Sequence, residues 1–177
     1  MTDLPDFNPD DYEIEVIKPV PATTERSLAR RIALQALYEL DCTTHNPHEV
    51  IASRLRAAQG SGSQPVSKKT AYYVRRLVHG VIENRLTLDQ VIRRYAHEWP
   101  LEQMAIVDRS ILRMAIYELG VRARVPVGVV IDEAVGLAKL FGAEGTAGFV
   151  NGVLGTLVED EAMLQQIRQS KNEGKAE

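Results

Sequence analysis

From Thr24 onward, apolar residues return at intervals of three and four, the spacing that gathers them on one face of an α-helix. Leu28, Ile32, Ala36, Leu37 and Leu40 form the first such stripe. Thr24 or Thr23 can cap it, and Glu25 lies in the first turn, where the helix dipole is positive. Pro47 suits the first turn of a second, shorter helix carrying Val50, Ile51 and Leu55. Glycine, serine and proline at 60–65 then interrupt regular structure. Ser67 can cap the longest run, in which Tyr73, Leu77, Val81, Leu88, Val91 and Ile92 keep helical spacing. A bend is expected near Gly80 and an end at Trp99-Pro100, because a residue before proline disfavours the α conformation.

Residues 101–119 are apolar on most sides, so this helix is expected at the centre of the core, with Gly120 as its C-cap. Val130, Ala134, Leu137, Ala138 and Phe141 mark another helix after a connector at 122–126. A glycine-rich turn at 142–148 leads to a last one with Phe149, Val150, Val153, Leu154 and Leu157, in which Gly148 and Gly152 would allow close helix approach. Clean strand alternation is missing. The pattern predicts an all-α fold of six or seven helices.

Composition adds boundaries to this picture. The 177 residues, 45% apolar and 25% charged, suffice for a single domain with its own core. Residues 1–23 hold four prolines and six acids against one lysine, a net of −5, and read as a flexible acidic extension. Residues 24–158 carry 17 bases and 13 acids, a net of +4, and form the helical domain. Residues 159–177 have five acids and three bases and read as a polar tail that frays after Ile167. The overall charge of −3 therefore hides a mildly basic body. Cys42 is the only cysteine, which excludes an intramolecular disulfide and suits a reducing, cytoplasmic setting. The sequence shows no signal-peptide pattern and no apolar run of membrane-spanning length.

Catalytic and metal chemistry find little support. Cys42, His45 and His48 have suitable donor atoms, but Pro47 breaks the helix face they would need, and no fourth ligand accompanies them. The glycines between Gly142 and Gly155 match neither phosphate-loop order. Nucleophile motifs are missing, and Asp132 and Glu133 point about 100° apart on a helix. No enzyme, metal or cofactor is expected. Basic residues are more suggestive. Arg26 and Arg30 lie one turn apart, and Gln35 and Tyr38 follow Arg31 on its side of the helix. Guanidinium, amide and phenol groups together suit RNA, through phosphate contact, base-edge hydrogen bonds and stacking. Lys68, Lys69, Tyr72, Arg75 and Arg76 repeat that chemistry. Arg113, inside the apolar helix, reads as an ion-pair partner rather than an RNA ligand.

Three blocks carry a resemblance. Ala29-Arg30-Arg31-Ile32-Ala33-Leu34-Gln35-Ala36-Leu37-Tyr38 resembles the first helix of the NusB family of bacterial transcription antitermination factors. Val107-Asp108-Arg109-Ser110-Ile111-Leu112-Arg113-Met114-Ala115-Ile116-Tyr117-Glu118-Leu119 is similar to that family's central helix. The stretch from Val130 to Lys139, followed by Phe141-Gly142 and Phe149-Val150-Asn151-Gly152-Val153-Leu154, resembles its C-terminal signature. The resemblance spans 24–158 and implies two small helical bundles. It further implies binding of single-stranded boxA RNA with the ribosomal protein NusE, so that RNA polymerase in an antitermination complex passes terminators in ribosomal RNA operons. Matched residue by residue, it implies RNA contacts at Arg30 first, then Arg26, with Arg31, Gln35 and Tyr38 nearby. Substitution of Arg30 is expected to weaken RNA binding without unfolding the chain. Partner contacts fall on Asp108, Arg109, Glu118 and Glu144.

Ser27 and Leu28 stand where some members carry further arginines, and Gly145 and Gly148 stand where some carry aspartate and lysine. A NusB-like domain also precedes the catalytic part of some ribosomal RNA cytosine methyltransferases. That alternative requires a further domain with a cofactor loop and a catalytic cysteine, which the sequence to Glu177 does not contain. A helical protein-interaction module and a homodimer are the remaining alternatives.

Overall fold

The computed structural model describes residues 24–60, 66–122 and 124–173, leaving aside the side chains of Arg122 and of 169–173. The acidic extension at 1–23, most of the expected break at 60–65 and the last four residues of the expected tail lie outside the described residues. Among the described residues there are eight α-helices and no strand. They are α1 (Glu25–Cys42), α2 (Pro47–Gly60), α3 (Lys68–Glu83), α4 (Arg85–Tyr95), α5 (Ile106–Ile116), α6 (Val127–Phe141), α7 (Thr146–Glu159) and α8 (Glu161–Glu173). A π-helical turn, Tyr117–Arg122, continues α5.

Helices α1, α2 and α3 pack on one another as one bundle, and α4, α5, α6 and α7 form a second. Helix α5 joins the two by packing against α1 as well. Every residue from Ser110 to Val121 is buried, which bears out the central position expected for most of the 101–119 run, although the helix begins only at Ile106 and Gly120 lies within the π-helical turn instead of capping the helix. Thr24 caps α1, its Oγ1 accepting from the Ser27 amide at 3.0 Å, and Ser67 caps α3 in the same way through Thr70. Both caps agree with the sequence reading.

Three expectations are corrected. The long run from Ser67 breaks at Asn84, past the bend expected near Gly80, and it ends at Tyr95 rather than Trp99. Asn84 makes the break because its side-chain amide donates to the Gly80 carbonyl at 2.7 Å, competing with the helical ladder. Gly80 serves packing instead: a Cβ there would lie 2.1 Å from Cζ of Tyr117, so only glycine lets the π-helical turn approach α3. Part of the expected polar tail forms α8, which buries Met163, Leu164 and Ile167 against the π-helical turn and α7. Gly148 and Gly152 mediate no helix approach, since a Cβ at either would meet nothing within 4 Å. Among the described residues no helix is long and apolar enough to cross a membrane.

Candidate nucleic-acid interface

Helix α1 carries the three arginines singled out from the sequence, and their surroundings differ sharply. Arg26 is exposed, with its guanidinium carbon 5.8 Å from the centre of the Tyr73 ring on α3. Arg31 is half-buried, Gln35 is exposed, and Tyr38 is 46% exposed. Arg30 is only 2% exposed. Its Nε donates to Oε2 of Glu118 at 2.8 Å, and its Nη2 donates to Oε1 of Glu118 at 3.0 Å and to the Tyr73 hydroxyl at 3.2 Å. The Tyr73 hydroxyl donates to Glu118 in turn. Glu133 of α6 completes the cluster, 3.5 Å from Nη1 of Arg30 and accepting from Oγ of Ser27 at 2.5 Å. Burial pushes the Arg30 pKa down, but the hydrogen bond and charge of Glu118 outweigh it and hold it above its ordinary value.

The expected RNA contact at Arg30 and partner contact at Glu118 are therefore corrected. The two side chains satisfy each other inside the protein and tie α1, α3, the π-helical turn and α6 together. The pair is bidentate and its side chains are only 2% and 3% exposed, so both are committed inside the protein. With Arg30 in this position, its removal is expected to cost folding stability, contrary to the expectation from sequence. By sequence the basic residues of α1 form one surface, and the structure divides them. Their separation could have been anticipated only from periodicity, since Arg30 follows Ala29 and precedes Ile32 and Ala33, all buried.

A second charged cluster holds the other end of α1. Asp41 accepts from Nε of Arg109 at 2.7 Å and from Arg85 at 2.9 Å, and lies 3.5 Å from Nη1 of Arg113. Arg113 donates from Nε to Asp89 at 2.7 Å. Burial raises the Asp41 carboxyl, but the hydrogen bond from Arg109 and the charges of Arg109, Arg113 and Arg85 hold it below the usual aspartate range. Arg113 thus has the structural role read from the sequence. Arg109, named for the partner surface, also reaches into this cluster, with its side chain 18% exposed.

Asp108 and Glu144 do come close to one element. Oγ1 of Thr146, at the start of α7, donates to Asp108 at 3.2 Å, and Glu144 is exposed two residues earlier. Gly145, at φ +88°, makes the turn between them in the left-handed region that favours glycine. Burial pushes the Asp108 carboxyl up, and the Thr146 hydroxyl offsets only part of this.

The histidines and cysteine at 42–48 do not converge. His45 faces Glu39 at 3.1 Å, His48 contacts the ring of His79 at 4.8 Å between centres, and Cys42 is exposed. Among the described residues no group of three or more His, Cys, Asp or Glu could hold a metal ion.

The NusB family model matches residues 27–159. The chain is 41% identical over 135 residues to the transcription antitermination protein NusB of Dehalococcoides mccartyi, covering 76% of this chain and 90% of that one. It is 42% identical over 141 residues to the protein of the same name from Chloroflexus aggregans, covering 78% and 90%. A structure of T. maritima NusB superposes with a TM-score of 0.69 at 31% identity, covering 78% of this chain and 94% of that one. A crystal structure of the antitermination factors NusB and NusE in complex with double-stranded RNA gives a TM-score of 0.68 at 25% identity, covering 76% and 96%.

Proposed function

The chain belongs to the NusB family, and we propose that it binds boxA RNA of ribosomal RNA operon transcripts together with NusE, so that RNA polymerase passes terminators. It is a non-enzymatic transcription antitermination factor. The observation that carries the reading is the 41% identity to an antitermination protein across 76% of the chain. The likeness to a NusB crystallised with NusE and RNA supports the choice of partners.

In this proposal the exposed part of α1 takes up single-stranded RNA. Arg26 supplies charge to a phosphate, Gln35 an amide to a base edge, and Tyr38 a ring for stacking, with Arg31 at their margin. Arg30 supports them from inside. NusE meets Asp108, Arg109 and Glu144 around the starts of α5 and α7. The basic body carries only +4, a modest attraction for a polyanion, so the partner's contribution to affinity matters. These contacts form in the cytoplasm, and a second copy of the chain can compete for the same faces when NusE is absent.

Titration of labelled boxA RNA with the protein, with and without NusE, over a salt series tests the reading. Binding should tighten with NusE and weaken with salt by about 0.7 log units per log unit for each phosphate neutralised. Failure to bind at low salt in both arms would overturn it and favour a protein-interaction module.

A further inference from the structure

Beside α1, helix α3 presents a second surface. A helical period of 3.6 residues places Lys68, Lys69, Tyr72, Arg75 and Arg76 within about a third of the circumference. All five are exposed, Tyr72 by 56%. The helix carries no acid before Glu83. Two other exposed arginines sit against carboxylates, Arg93 on Glu102 at 2.7 Å and Arg85 on Asp41 at 2.9 Å. Among the described residues no carboxylate lies within ion-pair distance of Lys68, Lys69, Arg75 or Arg76.

Helix stability does not account for this row. Lys68 and Lys69 occupy the first turn, where the positive end of the helix dipole disfavours cations. Arg76 lies against Tyr72, its guanidinium carbon 5.8 Å from the ring centre and its Nη1 donating to the hydroxyl at 3.0 Å. That contact holds an aromatic ring and a planar cation together at the surface, the kind of platform on which unpaired bases stack. The row lies beside α1, which packs on α3 and whose exposed Arg26 sits 5.8 Å from the centre of the Tyr73 ring of α3.

We propose that α3 extends the RNA interface: single-stranded RNA leaving Arg26 on α1 runs along α3, its phosphates on Lys68, Lys69, Arg75 and Arg76 and a base on Tyr72. This rests on the RNA-binding reading of α1. It assigns to α3 a contact with RNA flanking the core element, read by charge and stacking without base selection.

The test uses fluorescence anisotropy on the full chain with two labelled RNAs, a core boxA oligonucleotide and the same core extended at each end in turn by uridines. Wild type should bind one extended RNA more tightly than the core. K68Q/K69Q should abolish that gain and lower the salt slope for the extended RNA by about 1.4, two phosphates at 0.7 each, with core affinity unchanged. Tyr72→Ala should weaken the extended RNA about fivefold or more. Unaltered melting of both variants is expected, since the three side chains are exposed. No advantage from extension, or an advantage that survives K68Q/K69Q, overturns the α3 assignment while leaving core binding in place. Loss of NusE binding with RNA affinity intact would also overturn it and give the row to a protein. Absence of binding to either RNA by wild type would instead sink the reading of α1.

Discussion

The clamp around Arg30 and the basic row on α3 use the same side chains for opposite ends. Arg30 has Glu118 and Glu133 in reach and is closed off from water. Arg75 and Arg76 stand in the open on a helix with no acid before Glu83. What separates a structural arginine from a ligand-binding one is therefore the carboxylate supplied by another element, which neither its type nor its position in a basic run reveals. Breaking the first should cost folding; breaking the second should cost binding.

The largest effect is expected at the clamp. Arg30→Ala leaves Glu118 buried without its cation, with only the Tyr73 hydroxyl to donate to it, which should lower unfolding free energy by about 3–5 kcal/mol in urea titrations. An Arg30→Ala protein as stable as wild type would move Arg30 back to the surface. Next comes Gly80→Ala, whose methyl would strike the Tyr117 ring and should cost about 1–3 kcal/mol by the same titration.

The cluster at Asp41 sharpens the comparison through pH. Its folded pKa is depressed, so its stabilising share is present above the ordinary aspartate value of about 3.9 and is lost as pH falls through the depressed value. Urea midpoints should fall on acidification below about pH 4, and Asp41→Asn should flatten that part of the profile. The smallest change in stability is expected for Arg26→Gln, within about 0.5 kcal/mol of wild type. Its RNA salt slope should nonetheless drop by about 0.7, visible in anisotropy titrations.

Much of this was legible in the pattern of residues. The spacing from Leu28 to Leu40 and the caps at Thr24 and Ser67 mark helices with local signals, and local signals are what a sequence displays. The apolar run at 101–119 showed its central place by lacking a polar face, though not that its first five residues stay outside the helix. The Arg30–Glu118 pair was not legible, because it joins residues 88 apart and depends on how α1 meets the π-helical turn. The break at Asn84 turns on a single side-chain hydrogen bond, and α8 is buried by only three apolar positions in a polar stretch. On the candidate interface, the exposure of Arg26, Gln35 and Tyr38 followed from the helical stripe opposite them, whereas the link to α3 through Tyr73 required the packed bundle.

Photocrosslinking of the intact protein to uridine-extended boxA RNA, with adducts located by mass spectrometry, bears most directly on the central claim. Adducts on Tyr38 and Tyr72, with Tyr73 and the rest of the buried clamp unmodified, are the expected result. RNA that crosslinks efficiently while leaving both Tyr38 and Tyr72 unmodified would contradict the account.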